Sequence, residues 1–160
     1  MAVRIDEMNV GDVAAVAALE GPTCMSDEQL RAEIERPWAR LWVAREDPSV
    51  VAFLIAWHVA DELHVLNVAT RADRRRRGIA RALMNQVVAY ARAARAKHVL
   101  LEVRRSNAVA IALYRTFGFF TMSVRSRYYQ DDEDAIEMVL AFDVETGAIV
   151  PHADEVTLHG

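Results

Sequence analysis

The stretch RRRRGIA, from Arg74 to Ala80, has residue types and spacing that could bind an anion. The arginines come directly before an amphipathic helix, whose first turn leaves four backbone N–H donors without partners and adds a partial positive charge. Gly78 and Ala80 would let a ligand approach that backbone closely. Cations are unfavourable beside a positive helix end, so the pattern favours a bound anion such as a pyrophosphate; solvated arginines are the alternative.

Glu102 is the only acid in the strand-like stretch KHVLLEVRR, which makes it a candidate general base. The alternative is a residue that faces solvent or pairs with Arg104. Tyr114, in NAVAIALYRTF, lies at helical spacing, where an aromatic side chain is by default part of the core. Asn107 comes just before that helix and suits its N-cap. The sequence alone therefore leaves both roles open at each of these positions.

Other candidate residues have weaker support. Cys24 is the single cysteine, which excludes an internal disulfide and a multi-cysteine metal site. His58 and His64 flank a turn, but two histidines without a third ligand do not predict a metal site. The acidic run Asp131 to Asp134 is interpreted as an exposed loop or as a surface that steers a basic peptide.

Length and charge limit the classes of function. The chain has 160 residues, 53% of them hydrophobic, which suits one domain with a core. Its formal net charge of -4 gives no general attraction to nucleic acids. The start MAVRIDEMN lacks the pattern of a signal peptide, and no apolar stretch reaches the ~20 residues needed to span a bilayer. We expect a cytoplasmic monomer or weak dimer with no nucleic-acid or membrane partner.

Hydrophobic periodicity predicts the elements that position these residues, beginning with a strand at Val3 to Met8. Two short helices follow, the first with Asn9 as its N-cap and the second opened by a capping box of Ser26 and Gln29.

The rest of the chain predicts strands and helices in alternation. Three antiparallel strands occupy residues 39–70, and a helix with an apolar stripe follows the arginines as far as about Ala96. A strand, a helix ended by Gly118 and a closing hairpin complete the order βααβββαβαββ, a mixed α/β sheet. We assign residues 1–142 to one domain and residues 143–160 to a C-terminal tail or extension.

The stretch RRRGIA resembles the Arg/Gln-x-x-Gly-x-Gly/Ala signature of the GNAT acyltransferases, in the family's position between its fourth strand and third helix. The resemblance implies the GNAT fold, with a mostly antiparallel central sheet flanked by helices, and acetyl-CoA as cosubstrate without a metal. It implies that loop amides hold the pyrophosphate, that the preceding strand end holds the pantetheine and acetyl carbonyl, and that an asparagine contacts the coenzyme. The residues so implied are Val68, Ala69, Thr70, Arg75, Arg76, Arg77, Gly78, Ile79, Ala80, Arg81 and Asn107.

A narrower resemblance covers about half of the chain, from Leu66 to Leu140. The stretches LEVRRSNAVAIALYRTFGF and RSRYYQDDEDAIEM look like the RimI branch, which acetylates the N-terminal alanine of a ribosomal protein. The branch implies Glu102 as general base, Tyr114 as the acid that protonates the coenzyme sulfur, and Tyr128 and Tyr129 along the peptide groove. It usually carries a Phe-Pro-Trp-Ser-like stretch before the second helix, where this chain has GPTCMS.

We therefore expect an acetyl-CoA-dependent enzyme that acetylates a protein N-terminus, such as that of a ribosomal protein, with alanine first, by direct attack in a ternary complex. An α-amine has a pKa of about 7.7–8.0, against about 10.4 for lysine, so one carboxylate suffices to take its proton. The altered GPTCMS stretch leaves an acetyltransferase for a small amine or a lysine side chain as an alternative. A non-catalytic acyl-CoA-binding sensor is the other.

Overall fold

The computed structural model describes residues 3–19, 25–156 and 158, and its elements follow the predicted order. In chain order these elements are β1 (Arg4–Glu7), α1 (Val13–Ala17), α2 (Asp27–Glu35), β2 (Ala39–Glu46), β3 (Ser49–Val59), β4 (Glu62–Thr70), α3 (Ile79–Ala93), β5 (His98–Arg104), α4 (Ala108–Phe117), β6 (Phe120–Arg125), β7 (Ala135–Phe142) and β8 (Ile149–Val150). The short strand β8 lies in the C-terminal segment and was not part of the prediction. Across the described ranges, no helix is both long and apolar enough to cross a membrane.

The chain forms two compact units. The first unit contains the described residues up to Val59 together with Val65–Tyr90, and the second contains Ala60–His64 and the chain from Ala91 onward. The arginine-rich loop thus belongs to the first unit, and Glu102 and Tyr114 belong to the second.

The sheet of the first unit begins with the antiparallel neighbours β1, β2 and β3, after which comes β4. The helices α1 and α2 bury apolar side chains with those of β2 and β3 in one cluster that includes Val13, Val16, Leu30, Val43, Phe53 and Ile55. Full burial of such side chains stabilises the fold by roughly 1.5–3 kcal/mol each. The predicted capping box begins α2, since Ser26 and Gln29 exchange hydrogen bonds of 2.9 and 3.1 Å.

The helix α3 carries the predicted apolar stripe, of which Ile79, Leu83, Val87 and Ala91 are buried. The helix ends at Ala93, earlier than the predicted end near Ala96. The reason is local: Arg95 adopts a positive φ of 58°, and the Ala96 N–H donates to the Ala91 carbonyl at 2.9 Å. This bond, together with the left-handed residue, is typical of a helix C-terminus.

The second unit contains the antiparallel neighbours β5, β7 and β6, in that order across the sheet. Along β5, buried residues alternate with more accessible ones, and Glu102 lies on the accessible face. The helix α4 ends as predicted at Gly118, which adopts a φ of 104° that disfavours residues with a Cβ.

The C-terminal segment packs on this second unit. Its strand β8 pairs with β7, and the Glu155 N–H donates to the Thr121 carbonyl at 2.8 Å. Asp154 accepts a hydrogen bond of 3.0 Å from Arg115. The described part of the segment is therefore held by backbone and side-chain bonds.

Arg45 stabilises the first unit through its hydrogen bonds to two acids. We expect Arg45→Met to lower the free energy of unfolding by roughly 3 kcal/mol at neutral pH, because the buried carboxylate of Asp12 then loses its cation. Arg45 donates to Asp12 at 2.7 and 2.9 Å and to Asp6 at 2.7 Å. Burial raises the pKa of Asp12, but the hydrogen bonds from Arg45 and from the Asn9 backbone outweigh it, so the net shift is downward. Urea unfolding of both proteins measures the difference.

A carboxyl whose pKa is lowered by folding stabilises the protein above its unfolded pKa of about 3.9 and loses that contribution as the pH falls below it. The difference between wild type and Arg45→Met should therefore shrink below about pH 4. Arg4→Met is the matched control, because the Arg4 side chain is 58% exposed and should contribute little. Equal stabilities of Arg45→Met and wild type at pH 7 would contradict the prediction.

Candidate active site

The loop between β4 and α3 has the backbone shape expected of an anion cradle. Two of its residues, Arg76 and Gly78, have positive φ angles of 63° and 77°. The Gly78 carbonyl accepts a hydrogen bond of 3.0 Å from the Ala82 N–H, and α3 starts at Ile79. The first N–H groups of a helix have no carbonyl partner within the helix itself. A turn with left-handed residues followed by free helix N–H groups can bind an anion.

The four arginines of this loop differ in what they contact. Arg74 forms ion pairs with Glu46 at 2.6 Å and with Asp73 at 3.1 Å, so the protein itself offsets its charge. Arg75 donates to the Thr70 carbonyl at 3.3 Å. Among the described residues, Arg76 and Arg77 have no hydrogen bond or ion pair, and both are exposed. A bound anion would therefore offset the charges of Arg75, Arg76 and Arg77 rather than those of all four arginines.

Six of the other coenzyme residues implied by the resemblance lie at the two sides of this loop. Val68, Ala69 and Thr70 are the half-buried last residues of β4. Ile79, Ala80 and Arg81 form the first turn of α3, with Ile79 buried at 2% exposure. A Cβ added at Gly78 would meet no atom within 4 Å, so the backbone there is open to a ligand.

This open backbone predicts that Gly78→Val weakens acetyl-CoA binding at least tenfold. A valine would place its side chain in the approach to the loop amides and would strain the left-handed conformation, which costs roughly 1–2 kcal/mol. Calorimetric titration of the coenzyme measures the affinity. Gly147→Val is the matched control, because Gly147 also has a positive φ, of 74°, but lies in the C-terminal segment. Equal affinity in the Gly78 and Gly147 variants would show that the loop does not bind the coenzyme.

Glu102 lies in the second unit, where its side chain is 32% exposed. Hydrogen bonding to its carboxylate, followed by the charge of that carboxylate, raises the pKa of the Tyr128 phenol. Arg125 also lies near, with 3.8 Å between its guanidinium and the Glu102 carboxylate. The sequence also suggested that Glu102 pairs with Arg104. In the structure, Arg104 binds Asp131 and Glu133 instead.

The two tyrosines form an aromatic pair beside Glu102. The rings of Tyr128 and Tyr129 meet edge to face with centroids 5.1 Å apart. The Arg104 guanidinium lies 4.1 Å from the centre of the Tyr129 ring. Burial, followed by the charge of Glu102, raises the pKa of Tyr129. The structure thus brings together three of the site residues implied by the resemblance: one carboxylate and two phenols.

Tyr114 and Asn107 belong to α4. Tyr114 is buried, with 6% exposure, and its ring centroid lies 5.7 Å from that of Phe119. Burial raises the pKa of Tyr114 to about 12. Asn107 is the N-cap, since its side-chain oxygen accepts from the Ala110 N–H at 3.1 Å. Both residues therefore have the structural roles that the sequence suggested as alternatives.

The acidic run is part of the structure around this site. Asp131 and Glu133 bind Arg104 at 2.9 and 3.0 Å, and Asp134 binds Arg105 at 3.1 Å. These pairs tie the loop between β6 and β7 to the end of β5. Of the two interpretations of the run, the contacts favour a structural loop over a surface that steers a peptide.

The other sequence candidates do not form a metal site in the part of the chain that the structure describes, where no group of three or more His, Cys, Asp or Glu side chains is arranged to hold an ion. His58 contacts the Tyr90 hydroxyl at 2.7 Å through Nδ1, and His64 lies 3.4 Å from Glu62. Cys24 and most of the GPTCMS stretch lie outside the described residues.

The sequence analysis missed Glu137 and Arg125. Glu137 lies directly opposite Glu102 in the register of β5 and β7, and its carboxylate is 3.1 Å from the Arg125 guanidinium. One signal was present: AIEMVLAF, like HVLLEVR, contains a single acid among apolar residues. The register that pairs the two acids could not be obtained from either strand alone.

Comparisons with known proteins agree on one family. Residues 13–119 match the model described as "Acetyltransferase (GNAT) family". The chain is 40% identical over 97 residues to the [Ribosomal protein bS18]-alanine N-acetyltransferase of Salmonella typhimurium, covering 59% of this chain and 66% of that protein. It is 35% identical over 113 residues to an N-alpha-acetyltransferase of Sulfurisphaera tokodaii, covering 62% and 68%. The match thus spans about two thirds of the length of these curated relatives.

A solved structure is similar over nearly the whole chain. The ribosomal-protein-S18-alanine N-acetyltransferase from Escherichia coli superposes with a TM-score of 0.79 and 26% sequence identity, covering 99% of this chain and 100% of that one.

Proposed function

Since the chain belongs to the acetyltransferase (GNAT) family, we propose that it transfers an acetyl group from acetyl-CoA to the free α-amine of a protein N-terminus, with alanine as the preferred first residue. Membership of this family agrees with the α/β GNAT fold of the chain and identifies the chain as an N-acetyltransferase. The names of the relatives support a protein acceptor, and a ribosomal protein is the proposed one.

The observation that carries the proposal is the cluster of Glu102, Tyr128 and Tyr129. A carboxylate open to solvent can take a proton from an approaching amine, directly or through a water molecule. A weak base is enough to deprotonate an α-amine at neutral pH, because the pKa of the amine is about 7.7–8.0. Deprotonating a lysine, with a pKa of about 10.4, would cost roughly 3–4 kcal/mol more at about 1.36 kcal/mol per unit. The two phenols give a peptide backbone rigid surfaces to lie against.

The residues of the arginine loop fit the coenzyme. In the proposal, Arg76, Arg77 and the amides at the start of α3 bind the pyrophosphate, and Val68 to Thr70 orient the thioester end. Acetyl-CoA, when bound, supplies the acetyl group as a thioester. Backbone N–H groups near Ala69 polarise its carbonyl oxygen. Asn107 contributes its side-chain amide, whose oxygen is used by the helix and whose N–H groups remain as donors.

Two proton movements complete the proposal. Glu102 accepts a proton from the amine of the acceptor as that nitrogen forms its bond to the acetyl carbon. The Tyr114 hydroxyl donates a hydrogen bond to the sulfur that leaves, which stabilises the departing thiolate until it takes a proton from solvent. These steps require both substrates at once, and no acyl group resides on the protein.

The experiment is coenzyme A release from acetyl-CoA with short peptides that differ only in the first residue, each with a free and a blocked N-terminus. Turnover that needs the free α-amine and is highest with alanine supports the proposal. Turnover on blocked peptides that contain lysine, or on small amines, would show that the acceptor is a lysine side chain or a small amine instead of a protein N-terminus. Coenzyme binding without turnover on any amine would indicate a sensor and overturn the proposed function.

A further inference from the structure

Two neighbouring strands of the second unit each carry one acid, and the two acids face each other. Glu102 is the only acid of β5 and Glu137 the only charged residue of β7. The register pairs them directly, so both side chains project from the same face of the sheet. Like charges directly opposite on adjacent strands are destabilising. The arrangement therefore needs a compensating cation.

Arg125 is that cation, and it is held mainly by Glu137. The Arg125 guanidinium lies 3.1 Å from Glu137 and 3.8 Å from Glu102. Ser123, opposite Glu137 on β6, donates a hydrogen bond of 2.9 Å to the same carboxylate. Glu137 thus has two partners that fix its position, and its side chain is only 20% exposed. The Arg125 side chain is 52% exposed and has room to move.

The other charged and titratable groups that face Glu102 within this unit are already engaged. Arg104, on the same strand, binds Asp131 and Glu133. Tyr129 lies beside Tyr128 under the Arg104 guanidinium. Arg125, whose guanidinium also lies 5.5 Å from the centre of the Tyr128 ring, is therefore the cation that contacts both acids.

We propose that Glu137 is a positioning residue that holds Arg125 away from Glu102, so that Glu102 stays available to accept a proton. Without Glu137, Arg125 would move into a full ion pair with Glu102, which would stabilise the charged carboxylate and make it a weaker base. The inference rests on the proposed function in that it takes Glu102 as the base.

Substitutions of Glu137 and of Arg125 should shift the pH–rate profile in opposite directions. In Glu137→Gln, the acid limb of the pH–rate profile should move to lower pH by about one unit, because the cation comes closer to Glu102. The value of kcat should fall up to about tenfold, while the KM for acetyl-CoA stays unchanged. In Arg125→Gln the limb should move to higher pH, because two carboxylates then face each other without a cation. In the double variant, the acid limb should return towards its wild-type position.

The experiment follows the titration of the Glu102 carboxyl by carbon-13 NMR, assigned by its absence in Glu102→Gln, alongside pH profiles of coenzyme A release. Glu155→Gln is the matched control: it makes the same chemical change on the exposed C-terminal segment and should leave the titration unmoved. A variant that merely loosens the fold cannot produce shifts of opposite sign in the two single variants.

The outcomes separate the two ideas. Opposite NMR shifts with matching shifts of the rate profile support the inference. Unmoved or same-direction titrations in the single variants, or a double variant that does not return towards wild type, overturn it even if Glu102 is the base. Full activity of Glu102→Gln would overturn the assignment of Glu102 as the base, and the inference with it, whereas absence of turnover on any amine in the wild type would overturn the proposed function.

Discussion

Glu102→Gln is expected to lower kcat by about 10²–10⁴-fold, the usual contribution of a general base, while the dissociation constant for acetyl-CoA stays within about twofold of wild type. The glutamine keeps the size of the side chain and can still bond to Tyr128, but it cannot take a proton. The side chain is 32% exposed and lies on the accessible face of β5, so the substitution should leave the fold intact. Coenzyme A release and calorimetric titration measure the two quantities.

A control variant separates the loss of a proton acceptor from the loss of one negative charge. Glu155→Gln, which removes the same charge from the C-terminal segment, should keep wild-type kcat. The loss in Glu102→Gln should be smaller when the assay pH is raised above the pKa of the amine, because a larger share of the acceptor then arrives already neutral. A rate equal to wild type at pH 7 would show that another group, or solvent, accepts the proton.

The order of elements was predictable because it depends on short-range patterns. The stripe of Ile79, Leu83 and Val87 predicts α3 from helical spacing, and the buried positions confirm it. The cap of α2 by Ser26 and the end of α4 at Gly118 follow from local backbone bonding. Such features need no knowledge of distant residues.

What could not be predicted depends on contacts between distant positions. Arg74 looks like its three neighbours in the sequence, yet it binds Glu46, which is 28 positions away. The pairing of Glu102 with Glu137 requires the register of β5 and β7, and hydrophobic alternation sets the face of a residue but not its partner. The C-terminal segment pairs with β7 through two residues of β8, too few to produce a periodic signal.

The burial of Tyr114 was suggested by its helical spacing, but its consequence for the chemistry was not. An ordinary phenol has a pKa of about 10, against about 8.5 for a thiol. Burial raises the pKa of Tyr114 to about 12, which widens that gap. Complete proton transfer to the sulfur would then be uphill by about 5 kcal/mol, at about 1.36 kcal/mol per unit. A hydrogen bond to the developing negative charge has no such cost.

Tyr114→Phe is therefore expected to lower kcat by about 10²-fold, the low end of the range for an acid, with little change in acetyl-CoA affinity. The phenylalanine keeps the buried ring and its contact with Phe119, so the free energy of unfolding should change little. Phe119→Leu is the matched control: it alters the same packing without removing a hydroxyl and should keep most of the activity. Coenzyme A release and urea unfolding measure both effects.

The pH dependence of the wild-type enzyme provides a second test of the same residue. A phenol with a pKa of about 12 stays protonated throughout the range in which enzymes are usually assayed. Ionisation of Tyr114 should therefore cause no loss of activity below about pH 11, and any alkaline limb seen near pH 9–10 should persist in Tyr114→Phe. An alkaline limb that vanishes in this variant would mean that the hydroxyl titrates near the thiol and transfers its proton outright. Persistence of the limb, together with a hundredfold loss of kcat, would assign Tyr114 the role of a neutral hydrogen-bond donor to the leaving sulfur.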